Sequence, residues 1–262
     1  MDLATLFSLE GRTALVTGGS RGLGRIIAAT FVAAGARVYV TSRKAPACLE
    51  TAEALGPNCV ALPGDVSTIE GIERLVAELS EREPALDILV NNAGVAWGEP
   101  FESYSEKGWD KSMDVNLKAP FFLMQKLHGM LKANASAERP AKVINVASID
   151  GQRLNPWDTY AYHASKAGLI YLTRRVAAKL VEDHVNVTAI APGAFASDMN
   201  TAARDHADVV SRRIPAKRIG NEEDIGAAAL YLAARSGDYI VGNTLTVDGG
   251  IVNAQVGPSI DE

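Results

Sequence analysis

Short runs dense in β-branched and other apolar residues recur along the chain, separated by longer segments of helical character. The runs are Arg12 to Thr17, Arg37 to Thr41, Cys59 to Leu62, Leu86 to Asn91, Lys142 to Ala147, Val185 to Ala191 and Thr244 to Val247. Helical patterns lie between them at Leu23 to Ala34, Ala47 to Leu55, Ile69 to Glu83, Trp109 to Ala133, Tyr160 to Asp183 and Asp224 to Ala234. Strands alternating with helices long enough to cover a sheet face are what a parallel sheet with crossover connections requires. The pattern predicts an α/β fold: a Rossmann-type doubly wound parallel sheet of about seven strands, with helices on both faces. Ser197 to Arg218 is without a strand, and the tail after Gly250 ends in polar and turn residues.

Composition narrows the class. The chain has 262 residues, 47% hydrophobic and 22% charged, enough for a large core in one or at most two globular units. No Pro/Gly/Ser-rich linker, charge block or internal repeat divides it; the polar stretch Asn134 to Pro140 is short and reads as a loop. A single domain is therefore expected, its core running from about Leu9 to Ile251. A net charge of -5, from 26 basic and 31 acidic residues, supplies no field for nucleic acid or an anionic membrane. Cys48 and Cys59 have no metal-ligand spacing and read as two reduced thiols. Met1 to Leu9 lacks a basic n-region, and no stretch has the apolar length of a membrane span, so a cytoplasmic location is expected.

After the first predicted strand comes Thr17-Gly18-Gly19-Ser20-Arg21-Gly22-Leu23-Gly24, followed at once by a helical pattern. Glycines let a backbone turn tightly against a pyrophosphate, and the helix that starts there offers free N–H groups and a positive dipole end. Strand before and helix after are the context a dinucleotide site demands.

The spacing resembles the T-G-x-x-x-G-x-G turn of short-chain dehydrogenases/reductases. Asn91-Asn92-Ala93-Gly94 resembles that family's N-N-A-G turn, and Tyr162-His163-Ala164-Ser165-Lys166 its Y-x-x-x-K element. Pro192-Gly193 follows the sixth strand and Asp248-Gly249-Gly250 closes the seventh. These motifs stand in the family's order from about Leu9 to Ile251. The wording from Ala191 to Met199 is similar to 3-oxoacyl-carrier-protein reductases, and members with other substrates share it. The resemblance implies hydride transfer between a nicotinamide and a carbonyl or alcohol carbon. It implies Gly18, Ser20, Arg21, Gly22, Leu23 and Gly24 in the glycine turn, and Asn92, Ala93 and Gly94 after the fourth strand, as cofactor-binding residues. Asp65 and Val66 are expected to flank the adenine, with Asn91 lining the nucleotide cleft. Pro192, Gly193 and Ser197 are expected at the carboxamide, although the family more often has threonine where Ser197 stands.

An enzyme selecting NAD commonly has an acid at the end of the second strand, where it binds the ribose 2′-hydroxyl. Here that strand ends in Ser42-Arg43-Lys44, and Arg21 stands inside the glycine turn. Two guanidinium groups and a hydroxyl suit a dianionic phosphate, so NADP(H) is preferred over NAD(H).

Tyr162 and Lys166 are one helical turn apart and emerge on one face. A free tyrosine, with a pKa of about 10, is a poor base, and a nearby ammonium is expected to lower that value. Tyr162 can then pass a proton to or from the substrate oxygen. Of the nearby tyrosines only Tyr162 has a lysine four residues on: Ala164 follows Tyr160 and Arg175 follows Tyr171. Ser148 ends an apolar strand, where ligands of open α/β sheets bind, and its hydroxyl can hold the substrate oxygen. The resemblance adds Asn116 as a fourth catalytic residue holding a water near Lys166, and a grip of Lys166 on the nicotinamide ribose. His163 points elsewhere by helical geometry, and the four histidines form no metal-like cluster, so no metal is expected.

Substrate identity rests on loops. Trp97, Ile149, Asp150, Asn155, Trp157 and Met199 are the candidate pocket residues, and Ser197 to Arg218 a candidate lid. A 3-oxoacyl thioester, a cyclic ketone and a sugar alcohol all remain open. The resemblance also implies a homotetramer or dimer formed partly by the two longest helices. Two alternatives compete: a dinucleotide-binding protein without turnover, and a lyase or dehalogenase on the same fold.

Overall fold

The computed structural model describes residues 2–255. Met1 and the last seven residues of the tail lie outside the described residues, so the reading of that tail is only partly met by structure. The seven strands form one sheet: β1 (Thr13–Thr17), β2 (Arg37–Thr41), β3 (Cys59–Ala61), β4 (Ile88–Asn91), β5 (Ala141–Val146), β6 (Val185–Pro192) and β7 (Thr244–Val247). All neighbours pair in parallel, in the order β3-β2-β1-β4-β5-β6-β7. The doubly wound fold expected from the alternating runs is the one observed.

The helices are α1 (Leu3–Phe7), α2 (Gly22–Ala33), α3 (Ala45–Leu55), α4 (Ile69–Arg82), α5 (Glu106–Met113), α6 (Ala119–Ala133), α7 (Tyr160–Leu180), α8 (Thr201–Asp205), α9 (Ala207–Arg212) and α10 (Glu222–Ala233). Side chains alternate across each strand, so each strand feeds two cores. Ala14, Val16, Val38, Val40, Ile88 and Val90 pack on one face with Ile27 and Phe31 of α2 and Ile225 and Leu232 of α10. Leu15, Tyr39, Leu89 and Val143 pack on the other with Leu75 and Leu79 of α4, Leu123 and Leu127 of α6 and Leu180 of α7.

One expectation needs correction. The single helix expected from Trp109 to Ala133 is α5 and α6 joined by a π-helical turn, Asp114–Lys118, with Asn116 inside it. The wide turn is held from outside the helix by the Asn116 side chain, and a period-based reading cannot see one extra residue in a turn. Between Ser197 and Arg218 lie α8 and α9, five and six residues long, too short for periodicity to register. The same holds for α1, begun by Asp2 accepting the Ala4 N–H at 3.1 Å.

At the amino ends of the strands the buried Asp87 carboxylate accepts from Arg12 (3.3 Å), Arg139 (3.1 Å) and the Thr13 N–H (2.8 Å). This ion cluster lies at the opposite edge of the sheet from the carboxyl ends.

Candidate active site

β1 and β4 are neighbours whose following helices cover opposite faces, so a crevice opens at their carboxyl ends. The turn after β1 needs its glycines for distinct reasons. Gly18 (φ +63°) and Gly22 (φ +51°) sit in the left-handed region. A Cβ on Gly24 would stand 2.3 Å from Asn92 Nδ2 and 2.4 Å from the Gly18 carbonyl oxygen. Gly24 is buried, packs closely behind the turn and does not line the cleft. α2 begins at Gly22 with no side-chain cap and no acid in its first turn, leaving its amino end open to an anion.

The turn after β4 is tied to this one. Thr17 Oγ1 accepts the N–H groups of Asn92 and Ala93, both at 3.0 Å, and the Asn92 amide donates to the carbonyls of Thr17 (2.9 Å) and Gly18 (3.2 Å). Asn91 departs from expectation: it is buried, donates to Asn145 Oδ1 at 2.8 Å and does not line the cleft. Pleating turns Asn91 into the sheet interior and Asn92 towards the crevice.

The cleft is a continuous cavity of about 1540 Å³ that runs from the glycine turn to the segment after β6. At one end lie Ser20, Arg21, Gly22, Leu23, Ser42, Arg43, Asp65 and Val66; in the middle Asn92, Ala93, Gly94, Pro192, Gly193 and Ser197; at the other end Ser148, Tyr162 and Lys166. Arg43 is close enough to Asp65 to act on its charge. Burial works against that carboxylate, but the Ser67 hydrogen bonds and Arg43 hold it below the usual range. Arg21 also reaches across the cleft to Asp198, 3.0 Å away in an exposed ion pair.

Ser148 follows β5 and opens a single 3₁₀ turn, Ile149–Gly151, its Oγ accepting the Asp150 N–H at 3.1 Å. That bond occupies a lone pair and leaves the hydroxyl proton free to donate. Tyr162 and Lys166 come from the first turns of α7, and Lys166 Nζ lies 5.7 Å from the centre of the Tyr162 ring. The ammonium, 4% exposed, donates to the Val146 carbonyl at 2.7 Å. Burial lowers it to about 8. Burial also pushes the Tyr162 phenol up to about 12, with the Ser148 hydroxyl pulling it down and the Asp150 charge pushing it up. The expected lowering by lysine is therefore absent from the free chain. Desolvation is the largest influence on the phenol, and the Lys166 ammonium, hydrogen-bonded to the Val146 carbonyl, is not among the groups that act on it.

Asn116 is fully buried behind these groups. Its side chain donates to the Val95 carbonyl (2.9 Å) and Ser165 Oγ (3.0 Å) and accepts the Val95 N–H (2.9 Å). Those bonds pin the π turn to the strand-end loop and to α7. A Cβ on Gly94 would stand 3.3 Å from Asn116 Oδ1 and 3.7 Å from Lys166 Nζ, so the bare glycine leaves space between them.

Of the candidate pocket residues, Ile149, Asp150, Asn155, Trp157 and Met199 line the cleft. Trp97 does not: its indole packs on Gly108, where a Cβ would meet the ring at 2.5 Å. Arg153, Val209, Val210, Arg213 and Ile251 were missed. The short α9 carries two of these, and no residue-level pattern marks them. His163 donates from Nδ1 to the Thr159 carbonyl at 2.9 Å and does not line the cleft. No group of residues suited to a metal occurs among the described residues.

A family model described as Enoyl-(Acyl carrier protein) reductase matches residues 18–252. The chain belongs to the short-chain dehydrogenase/reductase family. Within that family it is 45% identical to the rhamnolipids biosynthesis 3-oxoacyl-[acyl-carrier-protein] reductase of Pseudomonas aeruginosa, over 93% of this chain and 97% of the relative. It is 35% identical to the sorbitol dehydrogenase of Cereibacter sphaeroides, over 92% and 98%. Among solved structures, the Pseudomonas aeruginosa RhlG/NADP active-site complex superposes with a TM-score of 0.91 at 44% identity, covering 94% of this chain and 98% of that one. A gluconate 5-dehydrogenase from Burkholderia cenocepacia in complex with NADP and tartrate gives a TM-score of 0.89 at 30% identity, covering 97% and 100%.

Proposed function

We propose that this short-chain dehydrogenase/reductase is an NADP(H)-dependent oxidoreductase that interconverts a carbonyl compound and the corresponding secondary alcohol, with Tyr162 as acid and base. One observation carries the reading: a single cleft joins the open amino end of α2 to the Ser148, Tyr162 and Lys166 side chains.

The residues fit a phosphorylated dinucleotide. A Cβ on Gly22 would extend into open cleft, its nearest neighbour Ser197 at 3.9 Å, so the bare backbone leaves room for a pyrophosphate at the helix end. No acid stands after β2, and Ser42, Arg43 and Arg21, which line the cleft, suit a 2′-phosphate. Asp65 and Val66 border the adenine end, and Pro192, Gly193 and Ser197 the carboxamide end. NADP(H), when bound, supplies or accepts the hydride.

The chain's own part is the proton and the oxygen. Ser148, whose hydroxyl acts on the phenol in the free chain, turns its proton to the substrate oxygen and holds it beside the phenol. Tyr162, protonated throughout the neutral range in the free chain, gives its proton to that oxygen during reduction and takes one back during oxidation. Lys166 offers positive charge beneath the phenolate that results. Asn116 positions Val95 and Ser165 around the lysine, and the space left by Gly94 suits a water between Asn116 and Lys166.

Trp157 and Met199, both exposed and lining the cleft, give it an apolar mouth that suits a substrate with an apolar tail. The relatives' names favour an acyl substrate, and a polyol is the second class they offer. We read the chain as one domain, assembling as a homotetramer or dimer in the cytoplasm; among the described residues no helix is long and apolar enough to cross a membrane. Steady-state absorbance of reduced nicotinamide over a panel of ketones, with NADPH and NADH in parallel, tests the reading. NADPH oxidation dependent on a ketone is the expected result. Binding without oxidation points to a non-catalytic protein, and substrate breakdown without nicotinamide to a lyase or dehalogenase.

A further inference from the structure

The 3₁₀ turn after Ser148 places a carboxylate at the reacting end of the cleft, and the chemistry above does not use it. Asp150 lines the cavity beside Ser148, Tyr162 and Asn155. Its backbone is fixed there twice. The Asp150 N–H donates to Ser148 Oγ at 3.1 Å, so it stands one hydrogen bond from the hydroxyl that holds the substrate oxygen. The next residue, Gly151, abuts α7 so closely that a Cβ would lie 2.7 Å from the Lys166 carbonyl carbon and 2.8 Å from the Ala167 nitrogen. The turn has no room to swing away.

The charge has no compensation within reach among the described residues: neither an ion pair nor a side-chain donor meets the Asp150 carboxylate. Of the cleft's cations, Arg153 and Lys166 are engaged elsewhere. Arg153 donates to the Leu154 carbonyl and to Gln255 Oε1, both at 3.2 Å. Lys166 donates to Val146, and Arg21 and Arg43 line the glycine-turn end of the cleft. A partly exposed carboxylate with free lone pairs accepts strong hydrogen bonds from a ligand donor and repels a ligand anion.

We propose that Asp150 is a specificity-determining residue: its carboxylate accepts a hydrogen bond from a hydroxyl on the carbon next to the reacting carbonyl, and disfavours substrates with a carboxylate at that place. The inference rests on the cleft being a carbonyl-reducing site, and it predicts the substrate's polar neighbour where the apolar mouth predicts its tail.

Three probes of one chain length separate the possibilities: hexyl methyl ketone, hexyl hydroxymethyl ketone and hexylglyoxylic acid, each assayed for kcat/KM with NADPH. In the wild type the hydroxymethyl ketone leads and the keto acid trails. In Asp150→Ala the preference for hydroxymethyl over methyl ketone falls about tenfold or more, the worth of one hydrogen bond to a charged group. The keto acid gains on the methyl ketone by a similar factor. Asp150→Asn keeps an acceptor oxygen without the charge, so it relieves the keto acid and retains part of the hydroxyl preference. NADPH affinity and the near-ultraviolet circular dichroism of each variant report folding independently of turnover. If both ratios stay put, or all three probes change by one common factor, the assignment of Asp150 is overturned. A wild type that reduces none of the three overturns the carbonyl-reductase reading beneath it.

Discussion

Lys166 is the residue whose removal separates stability from function most clearly. Burial lowers its ammonium from the ordinary 10.5 to about 8 in the free chain. Below pH 8 the folded protein holds a charge that it binds less well than the unfolded chain does. The cost is therefore fully present at pH 7, and shrinks as pH rises from about 8 to 10.5, where the unfolded chain binds more protons than the folded one. A difference of about 2.5 pH units corresponds to about 3 kcal/mol. Lys166→Met keeps the volume and removes that cost, but leaves the Val146 carbonyl without its donor at 2.7 Å, a loss of about 1 kcal/mol. The net gain is about 2 kcal/mol, or about 5 °C in Tm for a chain of this size. Thermal unfolding followed by circular dichroism, without dinucleotide, at pH 7 and at pH 9.5 measures it. The variant melts higher than the wild type at pH 7, and the gap narrows by pH 9.5. A variant that melts at or below the wild type at pH 7, or a gap that does not change with pH, refutes the reasoning. The same variant loses turnover, because the cost is borne for the site.

Two further outcomes follow from other parts of the molecule. Arg43→Asp places a carboxylate where a 2′-phosphate is expected and shifts the ratio of kcat/KM for NADPH over NADH towards NADH by about tenfold or more; an unchanged ratio removes Arg43 from the cofactor site. Asp87→Ala leaves the buried Arg12 guanidinium without its partner and costs about 3–5 kcal/mol in chemical denaturation, with NADPH affinity per folded molecule preserved.

The fold was legible because each strand is short, apolar and followed by a helix, so the period of the pattern changes where the chain reverses. The glycine turn, the Asn92 turn and the spacing from Tyr162 to Lys166 were legible because their chemistry needs those residue types close together in sequence. What escaped depends on pairings between distant segments. Asn91 and Asn92 read alike, and only the pleat of β4 decides which faces the crevice. Trp97 looks like a pocket aromatic until Gly108 on α5 takes it up. Asn116 was found by resemblance, but its bonds to Val95 and Ser165 depend on a π turn that no spacing announces. The high phenol of Tyr162 depends on burial, a property of the packed site rather than of the tyrosine–lysine pair.

The central claim is that Tyr162 moves the proton between chain and substrate. Tyr162→Phe, assayed for ketone-dependent NADPH oxidation alongside NADPH binding by fluorescence, tests it with one lost oxygen atom. Binding is expected to stay unchanged while kcat falls by about a hundredfold to ten-thousandfold, the usual worth of a general acid. Turnover at the wild-type rate contradicts it.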